Sequence, residues 1–270
     1  MTLSFLVAPA RIIVANHALI VRLARREIEG RIKSTMLGTI WLVVSPLMIL
    51  TIYSVAFQTI LRTQWTLPDG QPGNAVILLF IGITVFAIVG ESLGRAPGLV
   101  LENIAYVKKV VFPLEILPVV SLLSSSVQVC INLVMLLLME VILVGVPPIT
   151  AVLFPIVLLP LLLITLGISW FLASIGVFVR DVKQIIAPVI TGLMFLAPVF
   201  YPITAVPARL RPFIMLNPVT QAIDDARGVL YLGELPDPTN FLIALALGWA
   251  CAVLGCLWFM RTRKGFADVL

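Results

Sequence analysis

Four arginines in one short stretch, Arg22, Arg25, Arg26 and Arg31, offer the clearest chemistry in this chain. A guanidinium fork binds phosphate oxygens in pairs, so a collar of them near a membrane would hold an anionic headgroup; anchoring on anionic lipid is the plainer alternative. A second stretch, NIAYVKKVVFPLEILP from Asn103 to Pro118, sets the lysine pair Lys108 and Lys109 among Tyr106, Val107, Val110, Val111 and Phe112. Pro113 interrupts it and Pro118 stands where a new helix can begin, since proline is tolerated in a first turn. Apolar bulk beside charge, held by prolines, suits a short rigid helix docked in another protein's groove. An ordinary positive loop accounts for the charge alone.

The remaining reactive residue types are sparse. His17 is the single histidine, and Cys130, Cys251 and Cys256 lie in apolar runs without a ligand cluster around them, which points to packing rather than metal binding. Asp224 and Asp225 come nearest to a paired-acid site, although a solvated acidic pair explains them too. Few ionisable groups lie in the apolar runs, which disfavours a proton relay or an ion pathway, and Glu91 and Glu140 fall near run ends, so burial need not give them a special role. No GxxxxGK[ST] phosphate loop occurs, so ATP hydrolysis by that device would need another chain. No catalytic residue, metal or cofactor is expected on this one.

The elements that must position these residues are dictated by composition. Apolar residues make up 61% of 270 and charged ones 11%, with a mean hydropathy of +1.14, whereas a soluble domain is nearer half apolar and a quarter charged. Six runs approach the ~20 residues needed to cross a bilayer as a helix. They are Leu37–Leu61, Val76–Leu93, Leu117–Val146, Ile149–Val179, Ile185–Tyr201 and Phe241–Met260. The expected fold is all-α: a polytopic membrane protein of six transmembrane helices spanning residues 37–260, preceded by an N-terminal segment, 1–36, and followed by a short tail, 261–270.

Charge sets the expected orientation. Fourteen of the 18 lysines and arginines fall before the first run, after the second and fourth, or in the tail; Arg62, Arg209, Arg211 and Arg227 alone fall on the other side. Positive-inside then places both termini in the cytoplasm. The pI near 9.4 reflects topology and contact with membrane lipids, and nucleic acid is not an expected partner. In the first segment, the apolar stretch Leu3–Ala10 precedes the charges, unlike a signal peptide. From Arg11 to Lys33, apolar Ile12, Ile13, Leu19, Ile20 and Leu23 alternate with charge at helical spacing, which predicts an amphipathic helix at the membrane surface.

Between the fifth and sixth runs, Ile203–Asn240 is too apolar for a solvated loop and too short to cross twice; re-entrant or interfacial outer helices are expected there, forming an outer gate or a plain cap. On the sixth run Ala244, Gly248, Ala252 and Cys256 form a small-residue ladder suited to close helix packing. Prolines 155, 160, 188 and 198 interrupt the fourth and fifth runs, as hinges or as static kinks.

Four separated pieces carry a resemblance: Arg25–Phe57 with Gly38, Trp41 and Pro46; Glu102–Val119; Val177–Ile190 with its RDV turn; and Met194–Tyr231 with FYPI and LNPVTQAIDDARGVLY. In that order they resemble the permease subunit of type-2 ABC exporters of lipid-linked polysaccharide, the branch for O-antigens, capsules and teichoic acids, and the O-antigen branch most. The resemblance implies a homodimer of this chain above two separate ATPase subunits that bind ATP and Mg, in the bacterial inner membrane. It implies that Asn103, Tyr106, Val107, Lys108, Lys109 and Phe112 couple to the ATPase, with Arg180 and Asp181 as a second contact. It also implies that Arg22, Arg25, Arg26 and Arg31 meet the substrate headgroup, and that Tyr53, Phe57, Phe195, Phe200 and Tyr201 line a channel for sugar. Tyr53 and Phe57, four apart, share a helix face. The same architecture moving a capsule, a teichoic acid or a small hydrophobic drug remains open, as does a membrane transferase acting on lipid-linked sugars.

Overall fold

The computed structural model describes residues 6–33, 38–60, 65, 72–107 and 112–270. Regular structure among them is helical. Five stretches are long and apolar enough to cross a membrane: Gly38–Phe57, Ala75–Gly98, Leu114–Leu143, Ile149–Phe178 and Pro238–Val269. They match five of the six expected runs. The sixth, Ile185–Tyr201, is a helix only over Val182–Leu196, 15 residues. At 1.5 Å per residue that is about 22 Å, short of the roughly 30 Å hydrocarbon core. Pro198 stands just past its end, where the chain turns at Ala197–Phe200.

In chain order the principal helices are α1 (Ala8–Ala15), α2 (His17–Lys33), α3 (Trp41–Ser54), α4 (Ala75–Arg95), α5 (Leu117–Leu143), α6 (Leu159–Phe178), α7 (Val182–Leu196), α8 (Pro218–Arg227) and α9 (Pro238–Thr262). The single amphipathic helix expected over Arg11–Lys33 is therefore two. The break is at Asn16, whose side-chain Nδ2 donates to the Ile12 carbonyl at 2.9 Å, a local bond that competes with helix continuation. The apolar face is as expected, with Ile12, Ile20 and Ala24 buried.

Asn or Asp followed by proline or a small residue starts three of the helices. The Asn74 side chain accepts from the backbone of Val76 and Ile77 ahead of α4. Asn217 and Asp237 do the same for Val219 and Thr239, with Pro218 and Pro238 in the first turns of α8 and α9. A side-chain oxygen here replaces the missing carbonyl partner of a first-turn N–H, and proline there has no N–H to satisfy. Pro118 and Pro160 likewise fall in the first turns of α5 and α6, while Pro188 lies inside α7.

Helix α4 is the axis of the bundle, buried at 13 of its 21 positions. Helix α3 is the opposite case: Leu50 alone is buried in it. The closest packing is between α6 and α9. A Cβ on Gly167 would meet the Cys251 carbonyl at 2.4 Å, and one on Gly255 would meet the Gly167 carbonyl at 2.0 Å. Ala252 and Cys256 are fully buried in the same seam, so the predicted ladder on the last helix does face a neighbour, with Gly255 and Gly167 completing it. Without a hydrophobic drive between helices in lipid, such backbone contact supplies the dispersion that holds them.

Candidate functional site

The two ends of the bundle carry different chemistry. At the basic end, α2 presents its arginines in two sets. Arg25 is widely exposed and pairs with Glu29 at 2.9 Å, Lys33 reaching the same carboxylate at 3.4 Å. Hydrogen bonds from Arg25, then from Lys33, hold the Glu29 carboxyl below the usual carboxylate range. Arg22, also exposed, bonds only back to the Ala18 carbonyl, 3.1 Å, among the contacts seen for its side chain. Arg26 and Arg31 instead turn onto the bundle. Arg26 Nη2 donates to the Tyr106 hydroxyl at 2.7 Å. Arg31 pairs with Glu27 at 3.0 Å and with Glu91 at the end of α4, and Glu27 also takes Arg95. The four expected headgroup arginines are thus two outward and two engaged.

Tyr106 ends in a stack: its ring lies 4.2 Å from that of Phe112, the planes 10° apart. Between these two rings in sequence, Lys108, Lys109, Val110 and Val111 lie outside the described residues, as does the Val107 side chain. Upstream, Asn103 Nδ2 donates to the Leu99 carbonyl at 2.8 Å, tightening the turn that leads into the short helix Ile104–Val107. Arg180 and Asp181 are exposed in the turn between α6 and α7. Two residues on, Lys183 pairs with Glu102 at 3.2 Å. The two expected coupling contacts are therefore neighbours.

At the opposite end the five rings singled out in the sequence come together. Phe57 and Phe200 stack at 4.6 Å with planes 1° apart. Tyr53 meets Phe200 edge-on at 4.8 Å, and Phe195 lies 5.6 Å from it. The Tyr201 hydroxyl donates to the Phe195 carbonyl at 2.8 Å, closing the turn after α7. Phe200, 1% exposed, is the hub, whereas Phe195, 57% exposed, presents a free face. Phe200 therefore positions the other rings rather than offering a surface of its own.

One residue there was read in the sequence only as an outer charge. Arg227, at the end of α8, is buried and donates to the carbonyls of Pro198 at 2.7 Å, Val199 at 3.2 Å and Leu78 at 3.3 Å. Its guanidinium lies 4.5 Å from the Trp65 ring centroid and 3.8 Å from Asp224. Carbonyls left over where α7 stops need a donor inside the protein, and one planar fork serves several at once. Gly82 leaves the room: a Cβ there would meet the Val199 carbonyl at 2.9 Å. Through Arg227 the outer helix, the axis helix and the aromatic turn are one unit.

The expected outer helices in Ile203–Asn240 take the form of a short exposed helix, Arg211–Met215, and the buried α8. Leu216 and Phe213 are 80% and 72% exposed while Val219, Ile223 and Ala226 pack inward. A cleft of about 350 Å³ opens between α3, α4 and α5, lined by Trp41, Ser45, Pro46, Ile83, Gln128 and Asn132. Gln128 Nε2 bridges the Leu42 carbonyl and Asn132 Oδ1, each at 3.0 Å. Also unforeseen were the pairings of Glu27, Arg95, Glu115 and Arg263, and that of Glu91, for which the sequence implied no special role. A signal was available for some: Glu27 and Arg31, and Glu91 and Arg95, are four apart and so share a helix face.

An apolar helical bundle with a charged, braced surface at one end and an aromatic turn under outer helices at the other is a polytopic all-α membrane protein. Residues 18–231 match the ABC-2 type transporter family, and the chain belongs to that family. Among curated relatives it is 25% identical over 258 residues to the O-antigen export system permease protein RfbA of Myxococcus xanthus, covering 93% of this chain and 95% of that one. Two proteins of the same name from Klebsiella pneumoniae are 22% and 23% identical over 253 and 255 residues, with the same coverage.

Proposed function

We propose that this chain is the transmembrane subunit of an ATP-driven exporter that carries a polyprenyl-pyrophosphate-linked polysaccharide of O-antigen type out of the cytoplasm. The observation that carries the reading is similarity along almost the whole chain to permeases named for O-antigen export. Two copies of the chain form the pathway, and two ATPase subunits, which bind ATP and Mg, sit under its basic end. The excess of basic residues there supports a cytoplasmic placement of that end, with both termini, in the inner membrane.

In this reading each part has a task. ATPase closure pushes on Asn103, Tyr106, Val107, Lys108, Lys109 and Phe112, with the Arg180–Asp181 turn beside them. Arg22 and Arg25, exposed on α2, meet a pyrophosphate in fork geometry, Arg25 exchanging its Glu29 partner for the phosphate, while Arg26 and Arg31 tie α2 to the coupling region. The unburied face of α3 and the exposed residues Ile185 and Val189 of α7 supply the apolar surface that a second copy covers. Tyr53, Phe57, Phe195 and Tyr201, held by Phe200, offer ring faces along which sugars slide without being gripped at one hydroxyl.

Mass spectrometry of the complex, purified gently through a tag on this chain, tests the proposal. A stoichiometric ATPase with a phosphate-binding loop is expected, and a carbohydrate-binding extension on it would support the O-antigen assignment over capsule or teichoic acid. The chain emerging alone under every mild condition would overturn the exporter and direct attention to a membrane transferase.

A further inference from the structure

The last ten residues, RTRKGFADVL from Arg261, have the composition of a snorkelling tail, in which basic residues and a ring rest among lipid headgroups. The structure places them otherwise. After Thr262 the chain makes a tight turn, Arg263–Gly265, and a last helical turn, Phe266–Val269. Phe266 is fully buried, 5.7 Å from the Phe178 ring and 5.4 Å from Phe259. The Ser174 and Thr262 hydroxyls bond at 2.7 Å, seating the turn on α6. Arg263 then pairs with Glu115, whose side chain is 12% exposed. The Glu115 carbonyl also accepts from the indole N–H of fully buried Trp170 at 2.8 Å.

Glu115 lies where the coupling segment enters α5, three residues after Phe112. Phe178 is the last residue of α6, two before Arg180. One turn of tail therefore touches the roots of both ATPase-facing segments. The upstream end of the coupling segment has its own braces, Arg26 on Tyr106 and Lys183 on Glu102.

We infer that the tail, residues 263–270, is a clamp that transmits force, and that Arg263 and Glu115 are positioning residues for coupling. The inference rests on the exporter reading above. A push on 103–112 moves α5 only if the junction at Glu115 is fixed to the bundle; with the junction free, the segment yields locally and the spans stay still. The ATPase still docks and hydrolyses ATP, but less glycan moves per ATP.

The test uses the full complex with its ATPase and compares Arg263→Glu, Glu115→Arg, the double exchange, and Lys264→Glu, a charge reversal on an exposed neighbour. Each single reversal at the pair is expected to keep the ATPase bound and active while lowering surface glycan per ATP about fivefold, the lower range of coupling between sites. The double exchange should restore it and Lys264→Glu should leave it unchanged. Wild-type glycan per ATP in both single variants would overturn the clamp, as would an equal loss in Lys264→Glu. A second measurement does not depend on the ATPase: hydrogen exchange on the isolated chain. Arg263→Glu should speed exchange at the Ile116 and Leu117 amides, which bond back into the turn, and the double exchange should slow it again; unchanged exchange overturns the clamp even if no ATPase is ever found. Absence of the ATPase with intact protection would fault the exporter reading instead.

Discussion

Arg227 shows how much one side chain can hold. Its fork serves carbonyls from α4 and from the turn after α7, so Arg227→Ala strips donors from several buried acceptors together. Removing one member of a buried, hydrogen-bonded charge group costs about 3–5 kcal/mol, and thermal unfolding in detergent should show that loss. Arg227→Lys keeps the charge, but a single ammonium cannot span the same carbonyls, so an intermediate loss is expected. A wild-type unfolding temperature for Arg227→Ala would refute the account. The rings are a milder case. Tyr53→Ala or Phe57→Ala removes partners of Phe200 worth about 1 kcal/mol beyond burial, so assembly should survive while surface glycan falls. Wild-type glycan in both variants would remove these rings from the pathway. Of the aromatics, Tyr53 and Phe57 were legible in the sequence as sharing a face, while Phe195, Phe200 and Tyr201 were singled out through the family resemblance. Arg227 was not legible, since nothing local distinguishes a buried arginine from an exposed one when the carbonyls it serves lie 28 to 149 residues away.

Elements were legible where the signal is local. Long apolar runs yielded five spans, Pro118 marked a first turn, and the small-residue ladder marked a packing face on α9, while Pro160, read as a hinge or kink, proved to start a helix. What escaped was set by competition or by a partner. A single side-chain amide at Asn16 breaks a helix that periodicity reads as continuous, α7 ends at Leu196 although apolar residues continue, and no spacing on α9 names α6 as its neighbour. The α6–α9 seam gives the sharpest test at this scale. A valine at Gly255 would place its Cβ 2.0 Å from the Gly167 carbonyl, and forcing backbones apart in a packed seam costs about 1–3 kcal/mol or more. Gly255→Val should unfold at lower temperature and express poorly. Gly30→Ala, where a Cβ meets nothing within 4 Å, should be neutral or slightly stabilising, because alanine is the better helix former. Equal stability of the two variants would refute the seam as a determinant of the bundle.

For the whole molecule, the division of labour between its ends follows from what each solvent allows. In the apolar interior, polar groups must be paired within the protein, so Arg227 at one end becomes a staple. At the basic end, charges can stay solvated, and yet many are paired across the fold: Glu27 with Arg95, Arg31 with Glu91, Arg263 with Glu115. Exposed ion pairs contribute little to stability; their value here is geometric, fixing helix ends on either side of the 103–112 segment. The segment so braced contains Lys108 and Lys109. If it is the docking element, reversing both charges places acid where basic groups met a complementary partner, and like-charge juxtaposition costs several kcal/mol. Lys108→Glu with Lys109→Glu should then reduce co-purified ATPase by at least about tenfold, while membrane insertion and the unfolding temperature of the chain stay as in the wild type, because the brace residues are untouched. Normal recovery of the ATPase with the double variant would show that the bracing serves the bundle alone, and the push would have to enter through the Arg180–Asp181 turn.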